Sequence, residues 1–139
     1  MAAELFVDTG AWVALADEDD RHHARAANAL PQLLKDHRRL VTTNLVVAEC
    51  YILLRLELGH GPATAFLTHL HASPRIETVY ATPDLHGEAE EILRRYDDQD
   101  FSLTDAVSFA LMRQRGISTA FAFDAHFATA GFVCVPPAS

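Results

Sequence analysis

Apolar residues recur along this chain in two alternating rhythms, short unbroken runs and helical stripes. Leu5-Phe6-Val7 is the first run, and it leads straight into Asp8-Thr9-Gly10. A short apolar run bounded by a turn signal is what a strand buried on both faces looks like. Ala11 to Asp17 then reads as one short helix, and Asp17-Glu18-Asp19-Asp20 as a solvated turn. Arg21 to His37 is helical in pattern, with Ala24, Ala27, Leu30, Leu33 and Leu34 on one side. Pro31 inside it is expected to kink or divide the helix. His22 and His23 are adjacent, so on a helix they point about 100° apart. That makes them a poor metal pair and expected surface residues.

Arg39 to Thr43 predicts a second strand, and Thr43 or Asn44 caps a helix that runs to Leu58 and stops at Gly59. Its apolar stripe is Leu45, Val46, Ile52, Leu53 and Leu56, and Glu49 lies inside that stripe. Gly61-Pro62 opens another helix, which carries Ala65, Phe66 and Leu70 and ends near Ser73-Pro74. Arg75 to Tyr80 alternates like a strand. Thr82 then caps a helix to Tyr96, with Pro83 at its first position. After the acidic loop Asp97-Asp98-Gln99-Asp100, Ser102-Leu103-Thr104-Asp105 matches a capping box. The helix behind it carries Val107, Phe109, Leu111 and Met112 to a stop at Gly116. Asp105 falls on the face of Phe101, Phe109 and Met112. Ile117 to Phe123 is an apolar run ending in Asp124, the arrangement of Val7-Asp8 again. A short helix from Ala125 to Ala130, Gly131 and a strand from Phe132 to Val135 finish the pattern. Strand and helix alternate, which predicts an α/β sandwich with a mostly parallel five-stranded sheet, one domain over residues 1–139.

Composition supports a packed core: 50% of the residues are hydrophobic and 22% charged. The longest uninterrupted apolar stretch, Ala11 to Ala16, is far too short to span a bilayer. No basic segment precedes an apolar one near the N-terminus, so no signal peptide and a cytoplasmic location are expected. Cys50 and Cys134 fit no metal or redox spacing and are expected to be free thiols. The formal charge of −8 disfavours non-specific attraction to phosphate backbones. A nucleic-acid enzyme with this charge needs a local basic rim or bound cations. Ten of the eleven basic residues are arginine, suited to bidentate phosphate contact but equally a mark of genome composition.

Charge matters most at four carboxylates. Asp8 and Asp124 end apolar runs, while Glu49 and Asp105 interrupt apolar helix faces near helix N-termini. In a parallel sheet, strand C-termini and the following helix N-termini share one edge, where ligands collect. Each acid also has a purely structural use open to it. Asp8 and Asp124 can cap the helices behind them, Asp105 can be only the capping-box acid, and Glu49 can pair with Arg55. Two carboxylates about 4 Å apart repel by roughly 4 kcal/mol at an effective dielectric near 20. A cluster of four therefore calls for protons or cations. Oxygen-only ligation suits Mg²⁺ or Mn²⁺ rather than Zn²⁺. Such ions can activate water and stabilise a phosphoryl transition state.

These residues, in this order and spacing, resemble the PIN-domain ribonucleases, and specifically the VapC-type toxins of bacterial toxin–antitoxin pairs. The likeness covers essentially the whole chain. It runs from Phe6-Val7-Asp8-Thr9 through Glu49 and the stretch Asp100 to Ala110 to Phe123-Asp124-Ala125-His126-Phe127. It implies a three-layer α/β/α domain and metal-dependent RNA cleavage with one or two Mg²⁺ or Mn²⁺ ions. By the same resemblance, Asp8, Glu49, Asp105 and Asp124 fall on the four acidic positions, Asp8 and Asp105 foremost as ligands. Thr9 and Thr104 match hydroxyl positions beside the metal. Gly10 departs from the more usual serine or alanine. The resemblance further implies a homodimer, a VapB-like antitoxin that occludes the site, and structured RNA substrates such as transfer RNA.

Three rival readings are weaker. Asp8-Thr9-Gly10 is like the aspartic-protease signature, but that chemistry needs two copies in an all-β fold, and the chain holds one. A receiver domain would want a late lysine, and the lone lysine is Lys35. A PIN-like fold kept only for binding protein or RNA is favoured by loss of an acidic position, and all four are filled.

Overall fold

Five strands pair side by side into one sheet in the computed structural model, which describes residues 3–138. The strands are β1 (Ala3–Val7), β2 (His37–Thr43), β3 (Ile76–Val79), β4 (Thr119–Phe121) and β5 (Val133–Val135). Their order is β3-β2-β1-β4-β5, and every neighbouring pair is parallel. The central strand is the first in sequence, and its Leu5, Phe6 and Val7 are fully buried. A parallel sheet covered on both faces demands such unbroken apolar runs.

The helices are α1 (Thr9–Ala16), α2 (His23–Asp36), α3 (Asn44–Leu58), α4 (His60–Ala72), α5 (Pro83–Arg95), α6 (Leu103–Arg115) and the single turn α7 (His126–Thr129). From β1 the chain moves one way across the sheet to β2 and β3, then returns past β1 to β4 and β5. Right-handed crossovers therefore put α1 to α4 on one face and α5 to α7 on the other. The contacts agree, since α1 packs on α2 and α3, α3 on α4, α5 on α6 and α6 on α7. The result is three layers. Residues Asp105 to Met112 of α6 are all buried, because that helix lies between the sheet and α5. Phe6 stacks on Phe127 at 5.9 Å, and Phe109 meets Phe127 edge-on at 5.0 Å, which closes the α6–α7 side of the core.

Three local expectations are corrected. Pro31 does not divide α2, which runs through it as one helix. The apolar stripe expected on α3 is largely outside: Ile52, Leu53 and Leu56 are 47%, 47% and 77% exposed, and Val46, Cys50 and Leu54 are the buried residues. Asp124 does not terminate β4, which ends three residues earlier at Phe121. The expected caps form. Thr43 rather than Asn44 caps α3, its hydroxyl accepting from Val46 N–H, while the Asn44 side chain accepts from Ala81 N–H beyond β3. Gly116 ends α6 at φ 68, a left-handed conformation that glycine adopts without a Cβ clash.

At the N-terminal edge of the sheet, an ion-pair network ties strands to a helix end. Arg115 at the close of α6 reaches both oxygens of Glu77 on β3 at 2.9 and 2.7 Å, and Arg39 on β2 donates to the same carboxylate at 2.8 Å. These guanidinium contacts, that of Arg115 first, hold the Glu77 carboxyl down to about 2 from a normal 4.5. A depressed folded-state value gives stability that is present above about pH 4.5 and is lost as pH falls toward 2. Glu77→Gln is expected to lower stability by about 1 kcal/mol at neutral pH. The difference from wild type should vanish near pH 2 in denaturant melts followed by circular dichroism.

Candidate active site

The sheet order places a topological switch point between β1 and β4, where the crossovers leave in opposite directions and a crevice opens beyond the strand C-termini. Asp8 stands in it. Its N–H donates to Phe121 O at 3.0 Å, so the β1–β4 ladder extends one residue past β1 and fixes Asp8 at the lip. Asp8 occupies the cap position of α1, but its side chain makes no cap hydrogen bond and only 4% of the residue is exposed. Burial first, then the charge of Asp124, with smaller contributions from Asp105 and Glu49, push its carboxyl up to about 7. The backbone N–H of Thr9 opposes that rise. All four sequence-singled carboxylates thus act on one point.

Glu49 reaches the site from the second turn of α3, half-buried, and is held by Thr9, whose hydroxyl donates to Glu49 Oε1 at 2.9 Å. Thr9 is itself buried at the first position of α1. Arg55 instead donates to Tyr51 Oη at 3.1 Å, so the structural pairing of Glu49 with Arg55 does not form. Beneath them Cys50 is fully buried with its thiol against Thr9 O, and burial and the nearby Asp8 and Glu49 push that thiol well up. It stays protonated. Cys134 is also free, so no disulfide links the two.

Asp105 and Asp124 come from the opposite layer. The capping box is present in both directions: Ser102 Oγ accepts from Asp105 N–H at 3.0 Å, and Asp105 Oδ2 accepts from Ser102 N–H at 3.1 Å. Asp105 is nevertheless more than a cap, because the same Oδ2 also bonds His126 Nδ1 at 2.8 Å. Asp124 is exposed in the turn before α7, and its Oδ1 accepts from His126 N–H at 2.9 Å. One donor atom from each of Asp105, Asp124 and His126 lies within 4.8 Å of the other two, near enough to share a cation. Thr104 sits half-buried one residue before Asp105, at the same edge.

His126 is the residue that sequence reasoning passed over. It lies in the Phe123 to Phe127 stretch that carries the family likeness, inside a turn too short to show periodicity, and nothing there assigned it a role. His22, expected at the surface, stacks flat on Phe123 at 4.4 Å beside the Asp124 turn. Trp12 belongs elsewhere: its indole donates to Thr42 Oγ1 at 3.4 Å, and its ring meets Phe66 edge-on, away from the acids.

The family model for the PIN domain matches residues 5–133. Proteins from two strains of Mycobacterium tuberculosis, CDC 1551 / Oshkosh and ATCC 25618 / H37Rv, are each 38% identical over 137 residues. The alignment spans 96% of this chain and 98% of theirs, and both are named 23S rRNA-specific endonuclease VapC20. The crystal structure of Mycobacterium tuberculosis VapC20, described as a sarcin–ricin loop cleaving toxin, superposes with a TM-score of 0.89 over 96% of this chain and 99% of that one. Two more distant structures share the fold. VapBC2 from Rickettsia felis has a TM-score of 0.69 at 13% identity, covering 94% of this chain and 96% of that one. FitAcB from Neisseria gonorrhoeae has 0.63 at 17%, covering 94% and 95%. With the parallel sheet, the switch-point crevice and the match along nearly all of its length, the chain belongs to the PIN-domain family.

Proposed function

We propose that residues 1–139 form one nuclease domain, a divalent-metal-dependent endoribonuclease toxin that hydrolyses RNA phosphodiester bonds. The observation that carries this reading is the convergence of Asp8, Glu49, Asp105 and Asp124 on one crevice of a PIN fold. The donor set fits a hard cation: the four acids offer carboxylate oxygens, and the buried Asp8 lacks a cationic partner among its named neighbours. Asp8, Asp105, Asp124 and Glu49 are the residues that would hold Mg²⁺ or Mn²⁺. When bound, such an ion supplies charge for the phosphoryl transition state and lowers the pKa of water. The chain's own part is orientation. Thr9 holds Glu49, the Ser102 cap holds Asp105, and the β1–β4 ladder holds Asp8.

The relative that shares 38% identity is named for 23S rRNA, which makes ribosomal RNA the substrate to test first, ahead of transfer RNA. Partners follow from two apolar surfaces. A groove of about 810 Å³ between α1, α2 and α4, lined by Trp12, Leu15, Leu30, Leu34, Phe66 and Leu70, suits an apolar segment of a VapB-like antitoxin. The exposed Ile52, Leu53 and Leu56 of α3 suit the face of a homodimer. Among the described residues no helix is long and apolar enough to cross a membrane. A cytoplasmic site of action is part of the same proposal.

Purified protein is expected to cleave ribosomal RNA with Mg²⁺ or Mn²⁺ and not with EDTA. Asp8→Ala should lower the rate by more than the about 100-fold that loss of an outer-sphere partner costs. Cleavage that survives EDTA or Asp8→Ala overturns the mechanism, and an inert wild type favours the fold as a binding module.

Asp8 also predicts a pH dependence. Its carboxyl is raised from 3.8 to about 7, so between those values the folded state holds a proton that the unfolded chain has lost. Metal-free protein must therefore lose stability as pH rises across that window. Asp8→Asn in EDTA is expected to be about 2 kcal/mol more stable than wild type at pH 8, with no advantage at pH 4. Thermal melts read the difference directly, and equal stability at pH 8 would refute the cost of a buried Asp8 charge.

Leu56→Glu together with Leu53→Glu should convert a dimer to a monomer in sedimentation velocity while leaving the melting temperature near wild type. An unchanged sedimentation coefficient places the dimer face elsewhere.

A further inference from the structure

We propose that His126 is a positioning residue, a clip whose ring and backbone together hold the Asp105 and Asp124 carboxylates at a fixed spacing. The inference rests on the nuclease reading above and deepens it. Two hydrogen bonds carry it. The ring Nδ1 lies 2.8 Å from Asp105 Oδ2, and the backbone N–H lies 2.9 Å from Asp124 Oδ1. One residue thus bonds two acids that approach the crevice from different elements. Of the two ring nitrogens it is Nδ1 that meets the Asp105 carboxyl, while Nε2 does not take part in this bond.

The clip is anchored from behind. Phe127, the next residue, is fully buried between Phe6 and Phe109, which pins the backbone of α7. The His126 ring stands edge-on to Phe101 at 5.5 Å, and Phe101 in turn packs on Phe109. The imidazole therefore has one seat, with 35% of the side chain open to solvent. Two carboxylates this close repel and would swing apart unless a donor held them. Both protein donors to Asp105, His126 and Ser102, fall on Oδ2. Oδ1 accepts from neither of them and is left free. Fixing which oxygen is free is what an outer partner of a metal-binding carboxylate does.

The geometry separates this role from direct participation through Nε2. In His126→Asn the side-chain amide nitrogen falls near the place of Nδ1, in His126→Gln near that of Nε2, and His126→Ala offers neither. All three keep the backbone N–H on Asp124. Mn²⁺ affinity by titration calorimetry is the first readout and RNA cleavage the second. Ala and Gln are expected to weaken Mn²⁺ binding about 10- to 100-fold, with cleavage falling alongside. Asn should remain within about threefold of wild type in both, since it keeps the outer-sphere bond. The inference is overturned by wild-type Mn²⁺ affinity in the Ala variant, or by rescue with Gln and not Asn. A collapse of melting temperature in all three variants in EDTA also overturns it, since the histidine would then be structural. An active wild type, a dead Asp8→Ala and an unimpaired His126→Ala reject the clip alone. A wild type that neither binds Mn²⁺ nor cleaves RNA rejects the nuclease reading and the clip with it.

Discussion

Burial of a carboxylate at the switch point, with like charges beside it, is the constraint around which this molecule is arranged. Asp8 is buried at the end of a strand that has no exposed side chain from Leu5 onward, and three further acids bear on it. Such an arrangement costs free energy in the metal-free state, and the fold has to offset it elsewhere. It does so with a rigid apolar floor. Leu5, Phe6 and Val7 are locked between two helical layers, and the Phe6–Phe127–Phe109 cluster stops the two sides of the crevice from separating. Helix N-termini converge on the same edge, from α1, α3 and α6, and their positive dipole ends soften the repulsion.

The remaining charge is sorted by position. The sheet's N-terminal edge carries the matched network of Glu4, Glu77, Arg38, Arg39 and Arg115, whereas the C-terminal edge carries the acids. Many arginines act as struts. Arg75 donates to the carbonyls of Leu34, His37 and Arg38, binding the end of α2 and the start of β2 to the loop before β3. Arg113 reaches Ala130 O, and Arg25 reaches Pro137 O. At Arg75, Arg113 and Arg25 the guanidinium thus serves the fold. A net charge of −8 gives the chain as a whole no general attraction for phosphate backbones.

Much of this was legible residue by residue. Val7-Asp8 read as strand then carboxylate because a run buried on both faces has one pattern, and Ser102 to Asp105 read as a capping box because its spacing is set by one helical turn. The α3 stripe misled for a physical reason. Periodicity reports that Ile52, Leu53 and Leu56 share a side, but not whether this chain or another covers it. Ala122 and Phe123 are apolar and make Asp124 look like a strand end, whereas β4 pairs with β5 only as far as Phe121 and Val135. Pro31 left α2 whole, although proline in a helix interior removes one bond of the ladder.

Local sequence determined which residues form strands and helices, where the caps fall, and that Asp8 and Asp105 interrupt apolar surroundings. These are properties of single turns and single runs, encoded within a few residues. The tertiary structure alone decided that β1 and β4 are neighbours, and hence that Asp8 and Asp124 share a crevice across more than a hundred residues of chain. It also decided that Thr9 holds Glu49, that Trp12 faces a groove rather than the acids, and that His126 touches both Asp105 and Asp124. Those contacts join separate elements, and no periodicity within one element records its distance to another.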